Sequence, residues 1–305
     1  MVEVRKAKKT WSVLVDGRPV SHNIGTRERA EEIAKKLTQK PTEDAESSVE
    51  IKQEEKGFTP VFSSVGKKLI AELERIYPHP VLLIGETGWG KSVLVRHIAT
   101  KMGLGFSSLN AHPGMDMGTV VGMWRPYSNG TGVGIKWQDG LLTDAIRAGK
   151  AFLFEELTRA PQDALSRLYG LLDNGFRSWS CPESGELVDV NPKFWFLSTA
   201  NPSGQGYYTQ KLDKALQSRF AATFEINSPI ADEKAILTAK CPDKADVILK
   251  IVGDWRRKFT IPTRDIVQFA ELIVRGFAPK RAAELAVAPK TGDTKGLLEL
   301  TDWHI

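Results

Sequence analysis

Short apolar runs recur through the middle of the chain, at Val81–Ile84, Leu104–Leu109, Ala151–Phe154, Phe194–Thr199 and Ala221–Ile226. None alternates strictly with polar residues, the pattern of strands buried on both faces. Between them the spacing becomes helical. Leu141, Leu142, Ala145 and Ile146 share one helical face. Ala164, Leu165, Leu168, Leu171 and Leu172 share another, with Pro161 at its opening turn. Strands alternating with helices predict an α/β core over residues 58–228, a parallel sheet between two helical layers.

The flanks have a different texture. Thr10 to Val15 alternates like a strand, Asp16-Gly17 turns, and Arg18 to Ile24 returns. Thr26 then caps a helix with Ala30, Ile33, Ala34 and Leu37 on one face. Residues 1–40 thus read as a small β-hairpin plus helix module, too small to bury much by itself. Residues 41–57 are polar and mostly acidic, a linker. Residues 229–290 carry helical spacing with little strand signal and predict a small helical lid. Residues 291–305 form a tail without a readable pattern.

Composition narrows the class. With 41% apolar and 26% charged residues in 305, the chain suits a soluble globular protein. No run approaches the roughly 18–20 apolar residues of a membrane span, and the basic start lacks an apolar signal core, so a cytoplasmic location and no membrane partner are expected. Cys181 and Cys241 stand far apart and read as reduced thiols, and five scattered histidines show no ligand spacing. A net charge of +5 is compatible with a nucleic-acid or acidic partner, but no dense basic block concentrates it.

One segment carries specific chemistry. Val81–Ile84 runs into Gly85-Glu86-Thr87-Gly88-Trp89-Gly90-Lys91-Ser92, and a helix continues through Val93, Leu94, Val95 and Ile98. This is GxxxxGK[ST] between a buried strand and a helix. Glycines let the backbone curl so that successive N–H groups face a phosphate, and the helix N-terminus adds its unpaired N–H groups and dipole. Lys91 supplies a charge to the β/γ-phosphates and the Ser92 hydroxyl a ligand to Mg²⁺. Residues Gly85 to Val93 are therefore the expected ATP cradle.

A hydrolytic site also needs acids at a neighbouring strand end. Ala151–Phe154 ends in Glu155 and Glu156. The first suits the magnesium and the second the attacking water. Aspartate is usual at the first position, so Glu155 is a departure, one methylene longer. Asn201, after Phe194–Ala200, is placed to touch the γ-phosphate and the water. Arg219, in Ser218-Arg219-Phe220, suits a finger that stabilises charge on a neighbour's ATP. Arg264, in Pro262-Thr263-Arg264-Asp265 with Thr263 as cap, either returns to the nucleotide or pairs locally with Asp265 or another acid.

With these residues the chain resembles the MoxR group of AAA+ ATPases, especially its CbbQ/NorQ branch, over about residues 58–269. The segment Trp137-Gln138-Asp139-Gly140-Leu141-Leu142-Thr143-Asp144-Ala145-Ile146-Arg147-Ala148-Gly149 is similar to that family's W-x-x-G-P-L-x-x-A-x-x-x-G, with Leu141 in place of proline. The resemblance implies an AAA+ P-loop three-layer αβα core, strand order 5-1-4-3-2, a helical lid and a homo-oligomeric, usually hexameric, ring with ATP between subunits. It implies that Asn201 is a first sensor, Arg219 an arginine finger and Arg264 a second sensor. It also implies an inserted β-hairpin, which fits Gly118 to Trp137 around the turn Ser128 to Gly132, with Met123 and Trp124 either gripping a client or packed inside. Members commonly remodel a protein client with a von Willebrand factor A partner. Two other readings stand beside this one: a DNA-directed ring ATPase, and an ATP-binding assembly switch with little turnover, motivated by Glu155.

Overall fold

The computed structural model describes residues 60–128, 133–173, 178–181, 183–202, 212–301 and 303, and the backbone of three strands within the first 24 residues. The chain falls into two units, one holding the N-terminal strands and residues 126–135, the other residues 59–125 and 136–305.

In the first unit β1 (Val2–Ala7), β2 (Thr10–Val15) and β3 (Arg18–Ile24) form an antiparallel sheet in that order. The β2–β3 hairpin has its expected partners, with a register irregularity around Val13. β1 is an added strand, pairing Val2 with Val15 and Ala7 with Thr10. Its alternation rests on only Val2 and Val4 within a basic stretch. The helix expected after Thr26 and the linker at 41–57 lie outside the described residues.

The second unit is built on five parallel strands: β4 (Val81–Gly85), β5 (Phe106–Asn110), β8 (Ala151–Glu155), β11 (Trp195–Ala200) and β12 (Ala222–Ile226). Between β5 and β8 lie β6 (Gly122–Ser128) and β7 (Val133–Asp139), a separate two-stranded ribbon. Between β8 and β11 lie β9 (Ser178–Ser180) and β10 (Leu187–Asp189), another short pair. The large sheet runs β12-β4-β11-β8-β5. Counted along the core strands alone this is 5-1-4-3-2, as the resemblance implied.

Period-two geometry explains why the apolar runs lack alternation. Leu82, Phe152, Phe154 and Phe196 point into one apolar layer. Val81, Leu83, Leu153, Trp195 and Leu197 point into the other. Both faces of the central strands β4, β8 and β11 are therefore buried, whereas the edge strand β5 is partly covered and β12 alternates between covered and exposed positions. In the first layer Phe196 lies 6.0 Å from Phe152 and 6.3 Å from Phe220, so the chain after Ser218 is pinned to the sheet.

The segment resembling the family pattern has a packing reason. The Gly140 N–H donates to the Val121 carbonyl at 2.9 Å, and a Cβ on Gly140 would lie 2.6 Å from the Thr119 and Val120 carbonyl oxygens. Leu142, Ala145 and Ile146 of the helix Leu141–Ala148 are fully buried. Val120 and Val121 end a short helix, Met117–Val120, and are buried in the core rather than exposed on the hairpin. Met123 is half-buried, while Trp124 is 55% exposed and edges against Trp137 at 5.7 Å.

The C-terminal helices pack around Trp255, Ile266 and Phe269. Arg256 grips Glu233 through two nitrogens at 2.7 and 2.8 Å. Thr263 is not the helix cap. The cap position is Pro262, and the Thr263 hydroxyl donates instead to Glu233 at 2.6 Å. The carboxylate, already tied to Arg256, is a strong acceptor that draws the hydroxyl proton toward it. The final stretch joins this cluster through the helix Thr294–Glu299, with Leu297 fully buried and Trp303 packed near Trp255.

Candidate functional site

The β4-to-helix corner assembles most of the singled-out residues. Gly88 and Gly90 adopt left-handed backbone, with φ of 78° and 95°. At Gly88 a Cβ would meet Pro262 Cβ at 2.8 Å, so glycine is needed there for conformation and for space. The helix Lys91–Lys101 starts at Gly90 with no side-chain cap, and its first helical bond is Leu94 N to Gly90 O at 2.9 Å. The N–H groups of Lys91, Ser92 and Val93 thus precede the helical ladder, free to face an anion. The Trp89 indole N–H is buried without a partner among the described residues.

Lys91 is buried, and its ammonium donates to the carbonyls of Gly85 at 2.6 Å and Glu86 at 2.9 Å. Burial pushes its pKa down to about 8, against the pull of Glu86, Glu156 and Glu155, while Arg264 lowers it further. The amine sits where an arriving polyanion would restore what desolvation removes.

Ser92 donates its hydroxyl to Glu155 Oε2, so the longer acid reaches the serine directly. A hydroxyl and a carboxylate are hard oxygen donors of the kind Mg²⁺ takes alongside phosphate oxygens and water. Among the described residues no group of three or more His, Cys, Asp or Glu is placed to hold a metal alone. The residues fit a cation shared with a nucleotide.

Asn201 is buried and accepts a hydrogen bond from the Thr87 hydroxyl at 3.2 Å, joining the end of β11 to the loop. Glu156 follows β8 at φ 54°, the one non-glycine residue with positive φ among the described residues. Its N–H donates to the Thr199 hydroxyl at 3.1 Å, and its carboxylate accepts from Arg159 at 2.5 Å. Thr199 and Arg159 were missed by sequence reasoning. Arg159 had a readable signal, an acid and an arginine three residues apart across a turn. The Arg264 N–H approaches the Gly88 carbonyl at 3.4 Å, and Lys290, not Arg264, takes Asp265, at 2.7 Å.

Arg219 is not drawn to this corner. Its Nε lies 2.7 Å from Asp173, Nη1 donates to the Ala215 carbonyl at 2.6 Å, and the guanidinium sits 4.7 Å from the Tyr169 ring centre. Tyr169 and Asp173 carry no motif that would have singled them out. Cys181 and Cys241 are both buried free thiols.

Comparisons with known proteins agree with the geometry. A family profile described as AAA domain (dynein-related subfamily) matches residues 80–220. Protein CbbQ of Hydrogenophilus thermoluteolus is 30% identical over 247 residues, 77% of this chain and 90% of that protein. Denitrification regulatory protein NirQ of Pseudomonas aeruginosa is 28% identical over 263 residues, 81% of this chain and 98% of that protein. Midasin of Dictyostelium discoideum is 32% identical over 163 residues, 53% of this chain, which spans only 3% of that much longer protein.

Proposed function

We propose, since the chain belongs to the MoxR group of AAA+ ATPases with CbbQ, NorQ and NirQ, that it is a ring-forming ATPase that remodels or activates a protein client. The observation that carries the reading is the Ser92–Glu155 contact beside the buried ammonium of Lys91 and the carboxylate of Glu156. That juxtaposition is what ATP with Mg²⁺ requires. A client role is supported by the name of one relative, a denitrification regulatory protein. A von Willebrand factor A partner and a hexameric ring follow from the family resemblance.

In this reading Gly85 to Val93 bind the phosphates. The Lys91 ammonium exchanges the Gly85 and Glu86 carbonyls for phosphate oxygens. Ser92 and Glu155 would hold Mg²⁺, which when bound would supply charge neutralisation to the phosphates. Glu156 accepts the proton of the attacking water, with Arg159 engaging one of its two carboxylate oxygens. Asn201 orients that water, with Thr87 fixing the amide. Arg264, on the helix touching the loop, couples the lid to the bound nucleotide. Arg219 acts on the neighbour's γ-phosphate.

The Glu156→Gln variant tests the assignment. Binding of Mg·ATP should persist while phosphate release falls by about 100-fold or more, the scale of general-base catalysis. Wild-type turnover in that variant would overturn the role. The assembly-switch reading stays in view because of Glu155. It predicts negligible phosphate release already in the wild type.

A further inference from the structure

We infer that Asp173 and Tyr169 are positioning residues that park the Arg219 guanidinium inside its own subunit, in competition with a neighbour's nucleotide; this rests on the trans role proposed above.

The backbone and the side chain of Arg219 are held differently. Phe220 is buried against Phe196 and anchors the backbone to the sheet. The side chain instead lies on the end of the helix Gln162–Leu172. Tyr169 and the following cap residue Asp173, four positions apart, share one side of it. The tyrosine ring lies 4.7 Å from the guanidinium and the Asp173 carboxylate 2.7 Å from its Nε.

Tyr169 is itself held, its hydroxyl donating to Asp213 at 2.9 Å. Asp213 also accepts from Ala215 N at 3.1 Å, capping the short helix Lys214–Gln217 that leads to Arg219. The arginine's own approach therefore builds the platform beneath it.

A guanidinium grips phosphate best through two parallel N–H bonds. Here Nη1 is committed to the Ala215 carbonyl and Nε faces Asp173. The side-on pair of Nε and Nη2 can close on a phosphate only when Asp173 lets go of Nε. The weaker link is identifiable. Although Nε is 2.7 Å from Asp173, its N–H is not aimed well enough to count as a hydrogen bond, so the contact is ionic and poorly directed. Both side chains remain partly exposed, 26% for Arg219 and 37% for Asp173. Exchange of a single carboxylate for a phosphate of higher charge is open to them.

Steady-state phosphate release by the full chain at saturating Mg·ATP tests this, across protein concentrations. Asp173→Asn should raise kcat about two- to fivefold, the scale of a part-exposed ion pair, leave the KM for ATP unchanged, and reach half-maximal turnover at lower protein concentration. Asp173→Glu should restore wild-type behaviour. In an Arg219→Ala background the rise should vanish. If Asp173→Asn melts early, Tyr169→Leu carries the same expectation. A kcat at or below wild type for both variants, with Arg219→Ala inactive, sinks the parking and leaves the finger standing. A rise that persists without Arg219 also sinks it. Wild-type turnover in Arg219→Ala would overturn the finger and the parking together.

Discussion

Lys91 shows how a residue's surroundings prepare it for one kind of ligand. Desolvation brings the ammonium to about pKa 8 while the loop carbonyls keep it in place. Phosphate contact favours the charged form, so the bound state holds more protons than the free state above pH 8. Nucleotide affinity must then fall as pH rises, by about tenfold between pH 7 and pH 9 for a bound pKa near or above 10. Titrations across that range, with proton uptake read from the dependence of heat on buffer, check the expectation. A flat profile would contradict it. Gly88 offers a second test without charge. A Cβ there would press on Pro262 and strain a backbone at φ 78°. Gly88→Ala should weaken Mg·ATP binding by tenfold or more, measured by calorimetry on a variant whose melting temperature is checked.

At the scale of elements, the sequence was legible where chemistry and periodicity agreed. The strand–loop–helix at Val81–Ile98 carries its own signal in the glycines and the Lys91-Ser92 pair. The apolar runs marked the three central strands, β4, β8 and β11, because both faces of each are buried, whereas the edge strands β5 and β12 are only partly covered. Their order was not in the runs; it came from the resemblance. Where few apolar residues carried the pattern, reading failed. β1 rests on Val2 and Val4, and the helix Thr294–Glu299 packs chiefly through Leu297. Thr263 looked like a cap because caps are local, whereas its real partner Glu233 lies thirty positions away. The same locality hid the hold of Asp173 and Tyr169 on Arg219. Leu297 yields a direct test of the C-terminal packing. Leu297→Ala should destabilise the helical cluster by about 2–4 kcal/mol in denaturant unfolding. A change under about 0.5 kcal/mol would mean the segment contributes nothing to that cluster.

For the whole molecule, the contacts of Arg219 matter most. A subunit that keeps Arg219 against Asp173 does not bring that arginine to its own phosphate site, so turnover should depend on assembly. Specific activity should rise with protein concentration. Mixing Arg219→Ala subunits with Lys91→Ala subunits should restore part of the activity each lacks alone, and no restoration would argue against a shared site. The modest charge of +5 leaves the DNA-directed reading testable by the same assay. The client reading predicts phosphate release unchanged by duplex or single-stranded DNA. Stimulation that collapses with added salt would favour the alternative.

The most direct measurement is calorimetric titration of Mg·ATP into wild-type protein and into Lys91→Ala. Saturable binding by the wild type, weakened at least about 100-fold in the variant, is the predicted result. Equal heats from the two, or none from the wild type, would contradict the nucleotide site on which the motor reading stands.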